Sequence, residues 1–433
     1  MTIKIYQNKE LTIDQKTRLF YRSAADYTTI KQQISPLMED VRLRGDQAVR
    51  EISARFGSPV TELKVTEQEF QDAYKQVNPD FIQAFKVARN NILKVCGAQK
   101  KSLLEKSKVS SSGISVWREW RPLESVGIYV PGGRANYPST LLMCATPALV
   151  SGCNNITVCS PANSNGKLPA EVLYTARELD IRNVYRIGGS QAIAAMAYGT
   201  ETVSPVLKIV GPGNQYVNAA KLLVYPATAI DLPAGPSENL IIADESANPT
   251  WIAVDLLTDL EHGPDSAAIL FTDSDKLAQT VKQEIERVLS TLSTATTIKS
   301  ALKNYSAIIV VDSLKEAIEL SNDYAPEHLQ IVTKNAKVLA TQVQNAGSVF
   351  IGPWSSKAGG DYATGANHVL PTGQSAKMFG SLSVDSFGKW VEFQQVNKQG
   401  FASIKQTIMT YADVEGLPTH KLSASIRDNQ EGL

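Results

Sequence analysis

From Glu124 onward the chain repeats one texture, a short apolar run closed by Gly or Pro and then a stretch of helical pattern. The runs VGIYVPGG, NITVCSP, NVYRIGG and LKIVGPG are separated by LLMCATPALV, AEVLYTARELD and QAIAAMAYG. Strands separated by helices of this length do not form hairpins, because each helix carries the chain back to the edge where the strand began. The series therefore predicts βαβ units and a parallel sheet. A second series follows in NLIIAD, SAAILFTD, YSAIIVVD, LQIVT and GSVFIG. An α/β chain of 433 residues with two Rossmann-like parallel sheets, divided near 230–239, is the economical reading.

The rest of the chain is arranged around those sheets. Residues 1–24 read as an N-terminal extension; 25–125 with 239–380 form a first, discontinuous Rossmann-like domain; 126–238 form a second; and 381–433 form a tail. YTTIKQQISPLMEDVRLRGDQAVREISARF has apolar residues at three-to-four spacing, with Pro36 and Gly45 as punctuation, which predicts helical packing ahead of a sheet. FGKWVEFQQVNKQGFASIKQTIMTYADVEGL lacks the strand series and reads as mostly helical. Such a tail can pack on its own body or reach a neighbour.

Charge narrows the partners. Lys plus Arg and Asp plus Glu both number 43, and no basic run is interleaved with aromatics, so a nucleic-acid partner is excluded. The N-terminus lacks a basic region followed by an apolar core, and no stretch approaches 18 uninterrupted apolar residues. A soluble, cytoplasmic protein is expected. Cys96, Cys144, Cys153 and Cys159 have no C-x-x-C spacing, and three of them sit in apolar, small-residue surroundings that read as core.

The chain has only 4 histidines, His262, His328, His368 and His420, and each follows a carboxylate within seven residues. Histidine is the commonest metal ligand and the side chain best suited to moving protons near neutrality. In DLEHGP, Asp259 and His262 stand at i and i+3 near a predicted helix end, so they share one face and can point at one ion. A plain helix end, where the dipole favours a histidine cation, is the alternative. Glu327 and His328 follow a proline; in a tight turn both can face one cavity and move protons in successive steps, and a solvated surface turn is the alternative. The stretch GGDYATGANHVLPTG reads as a loop by its turn chemistry, and it presents Asp361 and His368. Asp259, His262, Asp361 and His420 would make a set of the N and O donors that zinc accepts. The glycine-rich turns YVPGG, Gly188-Gly189 and GPGN fall where parallel α/β folds bind ligands, though none spells G-x-G-x-x-G and tight βα turns explain them equally.

GIYVPGGRANYPSTLLM, GGSQAIAAMAYGT, KIVGPGNQYVNAAK, DLPAGPSENLIIAD, EHGPDS, APEHLQ, GDYATGANHVLPTG and EGLPTHK come in an order and spacing by which the chain resembles the histidinol dehydrogenase family over nearly its full length. The resemblance implies an intertwined homodimer whose C-terminal segment completes the partner's active site. It also implies a zinc-dependent oxidation of L-histidinol to L-histidine through the bound aldehyde, with two NAD consumed. The 239–380 part would then carry the catalytic and metal residues, and 126–238 the NAD side. Carried onto this chain, Glu327 activates water and His328 is the acid and base. Zinc is held by Asp259, His262, Asp361 and His420, with the substrate's imidazole and amino nitrogens. Ser237, His368 and Glu415 bind substrate, and Tyr129, Gln191 and Asn214 line the NAD site.

Two positions depart from the pattern that the resemblance implies: Asp259 stands where the family has Gln, and Lys357, next to the Asp361 stretch, where members commonly carry an acidic residue; pairing of Lys357 with the extra carboxylate and disturbance of the site are the two alternatives there. Two further readings stay open, the second of them on those departures. One is a related zinc- and NAD-dependent dehydrogenase of another small polar alcohol; the other is a catalytically silent paralogue.

Overall fold

The computed structural model describes residues 3–21, 27–104, 108–133, 135–225, 227–232 and 235–428. Parts of the expected N-terminal extension, and residues 233 and 234 at the expected division between sheets, lie outside the described residues. The chain divides into two compact units, the first from 1–97 and 123–387 and the second from 98–122 and 388–433.

The first unit holds both parallel sheets. One has five strands in the spatial order Asn183–Tyr185, Asn155–Cys159, Ser125–Tyr129, Lys208–Val210 and Ala229–Ile230. Counted along the chain, this is the order 3-2-1-4-5, and every pairing is parallel. Strand order reverses between Ser125–Tyr129 and Lys208–Val210, the switch point at which doubly wound sheets open a ligand crevice.

The other sheet has six strands, in the order Lys4–Gln7, Ala307–Val310, Ala267–Thr272, Glu238–Ala243, His328–Val332 and Ser348–Ile351. It is also parallel throughout. Its central strands are buried on both faces, as helix-covered parallel strands must be. Alternate residues supply two cores: Ile241, Ala268, Leu270 and Ile308 belong to one, and Leu240, Ile242, Phe271 and Ile309 to the other.

Three sequence expectations change here. Residues 4–7 are an edge strand paired with Ala307–Val310, so this part of the chain is not an extension outside the sheet. Residues 27–55 were expected to pack with the 239–380 sheet. Their helical face of Ile34, Met38, Val41, Val49 and Ile52 instead joins the core of Ile193, Met196, Val217 and Val224, on helices of the five-stranded sheet. Pro36 lies inside that helical run and does not end it; the break comes at Gly45, whose φ is +53°.

The second unit pairs Gly388–Val396, Ile114–Pro122 and Lys108–Ser111 as an antiparallel sheet, so the tail expected to be mostly helical opens with a nine-residue strand. Trp117 stacks on Phe393 at 5.4 Å, and Trp120 meets Trp390 edge-on at 5.7 Å. Helices Lys398–Val414 and Pro418–Ser425 follow. All four cysteines are buried and free, and burial raises the pKa of each thiol, which fits core residues. Among the described residues no helix is long and apolar enough to cross a membrane.

Candidate active site

Glu238–Ala243 and His328–Val332 lie side by side in register, His328 opposite Asn239. The backbone of the first strand orients the side chains at the start of the second. The Glu238 N–H donates to the Glu327 carboxylate at 2.9 Å, and the Glu238 carbonyl accepts from His328 Nδ1 at 3.1 Å. Glu327 and His328 are both buried, which removes the surface-turn alternative. They sit at the amino edge of their sheet. Return helices of βα units end at that edge, so it collects residues from helix C-termini.

Asp259 arrives in that way. Helix Pro249–Thr258 starts on Asn248, whose side chain accepts from the Thr250 and Trp251 N–H groups, and runs into a 3₁₀ turn at Asp259–Glu261. It is tied to the sheet by Gln330 Nε2 donating to Asp255 Oδ2 at 2.8 Å and by Asn239 Nδ2 donating to the Asp255 carbonyl at 2.6 Å. Asp259 Oδ2 lies 3.3 Å from His328 Nδ1, and Oδ1 lies 3.8 Å from Nε2 of the half-exposed His262. The shared face expected of Asp259 and His262 is present.

Asp361 is not on a loop. It belongs to a short helix, Lys357–Tyr362, capped by Ser356 Oγ, which accepts from the Gly359 N–H at 3.2 Å. That helix places Lys357 one turn before Asp361 on the same face. The Lys357 ammonium lies 2.6 Å from Asp259 Oδ1 and 2.6 Å from Asp361 Oδ2, almost fully buried. Among the described residues, no three His, Cys, Asp or Glu side chains converge to hold an ion.

The charges in this cluster shift one another. Burial would raise the Asp259 carboxyl, but Lys357 and His328 outweigh it and hold the group well below the usual carboxylate range. Burial would lower the His328 imidazole, yet Asp259 and Glu327 bring it up to about 9. Glu327 is pushed up to about 8, first by burial, against the pull of His328. Glu327 Oε2 and His328 Nδ1 are 3.6 Å apart, so the two titrate as a pair. His328 Nδ1 faces three acceptors, while its buried Nε2 has no hydrogen-bond partner and lies 3.9 Å from Asp361 Oδ1.

His368 Nδ1 meets the Asp361 carbonyl at 3.0 Å, and burial pushes its pKa down to about 4. One cleft brings His368, Ser237 and Glu327 together with the Gly211–Gly213 turn of the other sheet. The amino edge of the six-stranded sheet thus opens toward the carboxyl edge of the five-stranded one, at its switch point. Gly211 has φ +114°, and a Cβ there would meet the Tyr129 carbonyl oxygen at 2.2 Å, so only glycine permits this close approach. The turn is fixed by Asp231 Oδ2 accepting from the Gly211 N–H at 2.8 Å and by Lys221 Nζ donating to the Gly211 carbonyl at 2.9 Å. Lys221 and Asp231 themselves form a buried ion pair.

Of the residues expected to line the cofactor site, Tyr129 ends the central strand and its hydroxyl accepts from the Gly189 N–H at 3.1 Å. Gln191 is buried against Ser53, and Asn214 caps helix Gln215–Val224. Glu415 and His420 belong to the second unit, where they line a groove with Ile404, Ile408, Tyr411 and Ala412. Sequence reasoning missed Glu238 and Asp255. Asp255 did leave a signal, since it stands at i−4 from Asp259 in an otherwise apolar helix.

A family model for histidinol dehydrogenase matches residues 20–428. The histidinol dehydrogenase of Methanothermobacter thermautotrophicus is 42% identical over 405 residues, covering 93% of this chain and 95% of that protein. The Escherichia coli K12 enzyme of the same name is 42% identical over 423 residues, covering 96% of each chain. A crystal structure of histidinol dehydrogenase from Elizabethkingia anophelis superposes with a TM-score of 0.92 at 39% identity, covering 98% of both chains. The chain belongs to the histidinol dehydrogenase family.

Proposed function

We propose that this chain oxidises L-histidinol to L-histidine in two NAD-linked steps at the Glu327–His328 edge. The observation that carries this reading is the cleft in which Glu327, Ser237 and His368 face the Gly211–Gly213 turn at a dinucleotide-type switch point. That turn follows strand Lys208–Val210 at the carboxyl edge of its sheet, where doubly wound folds bind dinucleotides. When bound, NAD supplies the hydride acceptor for each step. His328, through its unpartnered Nε2, takes the alcohol proton as the C–H hydride leaves carbon. Glu327 takes a proton from water as the water oxygen bonds to the aldehyde carbon. His328 returns its proton to the former carbonyl oxygen, completing the hydrate, and then takes a hydroxyl proton of that hydrate as the second hydride leaves, so that the acid is formed. Tyr129, Gln191 and Asn214 are the cofactor side of this reading. Ser237 and His368 bind the substrate, and Glu415 meets its amino cation.

The homodimer completed by the tail also belongs to this reading. Its support is the second unit's own surface, where Tyr411, Val414, Leu417 and Leu422 are exposed beside Glu415 and His420. The reaction is placed in the cytoplasm. Zinc, which the family resemblance implies, does not fit the residues as they stand: the space between Asp259 and Asp361 holds the Lys357 ammonium. NADH formation from L-histidinol, compared with that from other amino alcohols, tests the assignment. A rate with L-histidinol no greater than with the others would move the reading to a dehydrogenase of another small polar alcohol, and no NADH from any of them would move it to a silent paralogue.

A further inference from the structure

Lys357 is the most unusual group in the site. An ammonium this deeply buried needs full compensation. It has two carboxylate oxygens, each 2.6 Å away and on a different element. One partner, Asp361, shares its short helix, so any position that presents Asp361 to the site brings Lys357 with it. The other partner is Asp259. The two positions singled out in the sequence therefore meet each other: the Asp259 carboxylate is bound by the Lys357 ammonium.

A zinc ion would sit about 2.0–2.2 Å from carboxylate oxygens. An ion at that distance from Asp259 Oδ1 and Asp361 Oδ2 would contest the space that the ammonium fills. Placed beside the ammonium, it would put a dication next to a cation in a buried site. Both carboxylates already face a cation, since Asp259 and Asp361 each lie 2.6 Å from the Lys357 ammonium. We propose that Lys357 supplies the cation of this site in place of a metal, clamping Asp259 to Asp361 so that this chain carries out its dehydrogenation without zinc. Two of the three ammonium N–H donors are used by the carboxylates. The third donates to a neutral acceptor on the substrate, such as an imidazole nitrogen; this last clause rests on the histidinol reading, whereas the replacement of the metal does not.

The test scores metal and turnover separately on the whole protein. Wild type is purified after growth with zinc, incubated with zinc, desalted and analysed for bound metal, and its unfolding temperature is measured with and without added zinc. The expected result is far less than one zinc per chain, no rise in unfolding temperature on adding zinc, and NADH formation changed by less than about twofold by a chelator. The double variant D259Q/K357E, which removes the internal cation, is expected to bind close to one zinc per chain and to become chelator-sensitive. Tightly held zinc near one per chain in wild type, with loss of NADH formation on its removal, would overturn the proposal. A zinc-free wild type that forms no NADH from L-histidinol, alongside a zinc-binding double variant, would support the internal cation while overturning the histidinol reading.

Discussion

Replacing Lys357 by Met keeps most of the buried side-chain volume and removes the charge. Asp259 and Asp361 then lose a partner 2.6 Å from each, and the nearest remaining cation is His328, at 3.3 Å from Asp259 and 3.9 Å from Asp361. Breaking a buried pair by deleting one partner costs about 3–5 kcal/mol, because the other charge stays buried. K357M is therefore expected to lose about 3 kcal/mol or more at neutral pH, the low end of that range, since His328 still compensates part of the charge. The sign of the pH dependence follows from Asp259, whose carboxyl is held below the usual range in the wild type. A depressed carboxyl contributes stability above its unfolded pKa, near 3.8, and loses it as pH falls. The difference between wild type and K357M is thus largest at neutral pH and narrows toward acid. Adding D259N to K357M removes one orphaned charge and is expected to recover stability. Denaturant unfolding of the four proteins in the cycle measures both effects. A loss below about 1 kcal/mol, or a double variant whose loss is the sum of the two single losses, would refute the clamp as described.

Glu327→Gln keeps a carbonyl oxygen to accept from the Glu238 N–H, so the fold is retained. It should slow the aldehyde-to-acid step by about 10²–10⁴, with a much smaller effect on the alcohol step; equal losses in single-turnover NADH formation from L-histidinol and from L-histidinal would contradict the role given to Glu327. His328→Ala should lose both steps, and retention of either would remove His328 as the shared acid and base. Because both groups must shed protons to act, NADH formation should rise with pH from neutrality and level off above about 9, reflecting apparent values near 8 and 9 for the pair; a profile flat over that span would show that neither proton matters. Tyr129→Phe deletes the acceptor of the Gly189 N–H and should raise the NAD KM while leaving kcat within about threefold, a neutral hydrogen bond's worth of loosening; an unchanged KM would take the Tyr129 hydroxyl out of the cofactor site.

Both sheets were legible because their strands are local apolar runs punctuated by Gly and Pro, and the 3-2-1-4-5 order of the five-stranded sheet follows from right-handed crossovers of such units. Glu327 and His328 were legible as neighbours in one short motif. Partners set by long-range pairing were not. The strand Lys4–Gln7 is too short to announce itself, and it is defined by Ala307–Val310 across the sheet. The apolar residues of KWVEFQQV come at mixed spacing that does not distinguish helix from strand, and the pairing of Gly388–Val396 with Ile114–Pro122 decides for strand. The helical face of 27–55 could be read as amphipathic, but which sheet it covers is a packing result. Asp361 sits on a helix despite two adjacent glycines, because the Ser356 cap and the buried contacts of Lys357 and Asp361 outweigh a weak propensity. A pairing of Lys357 with the extra carboxylate at Asp259 was legible as one of two alternatives, and the structure bears it out; that the same ammonium also reaches Asp361 is selected by the folded site, since a flexible four-carbon stem can reach several places.

The stoichiometry of the reaction tests the central claim most directly. With wild-type protein and excess NAD, each L-histidinol consumed should yield two NADH and one L-histidine, with no aldehyde released. One NADH per L-histidinol with aldehyde accumulating would contradict the role of Glu327 in a second step, and no NADH at all would contradict the reaction proposed for this site.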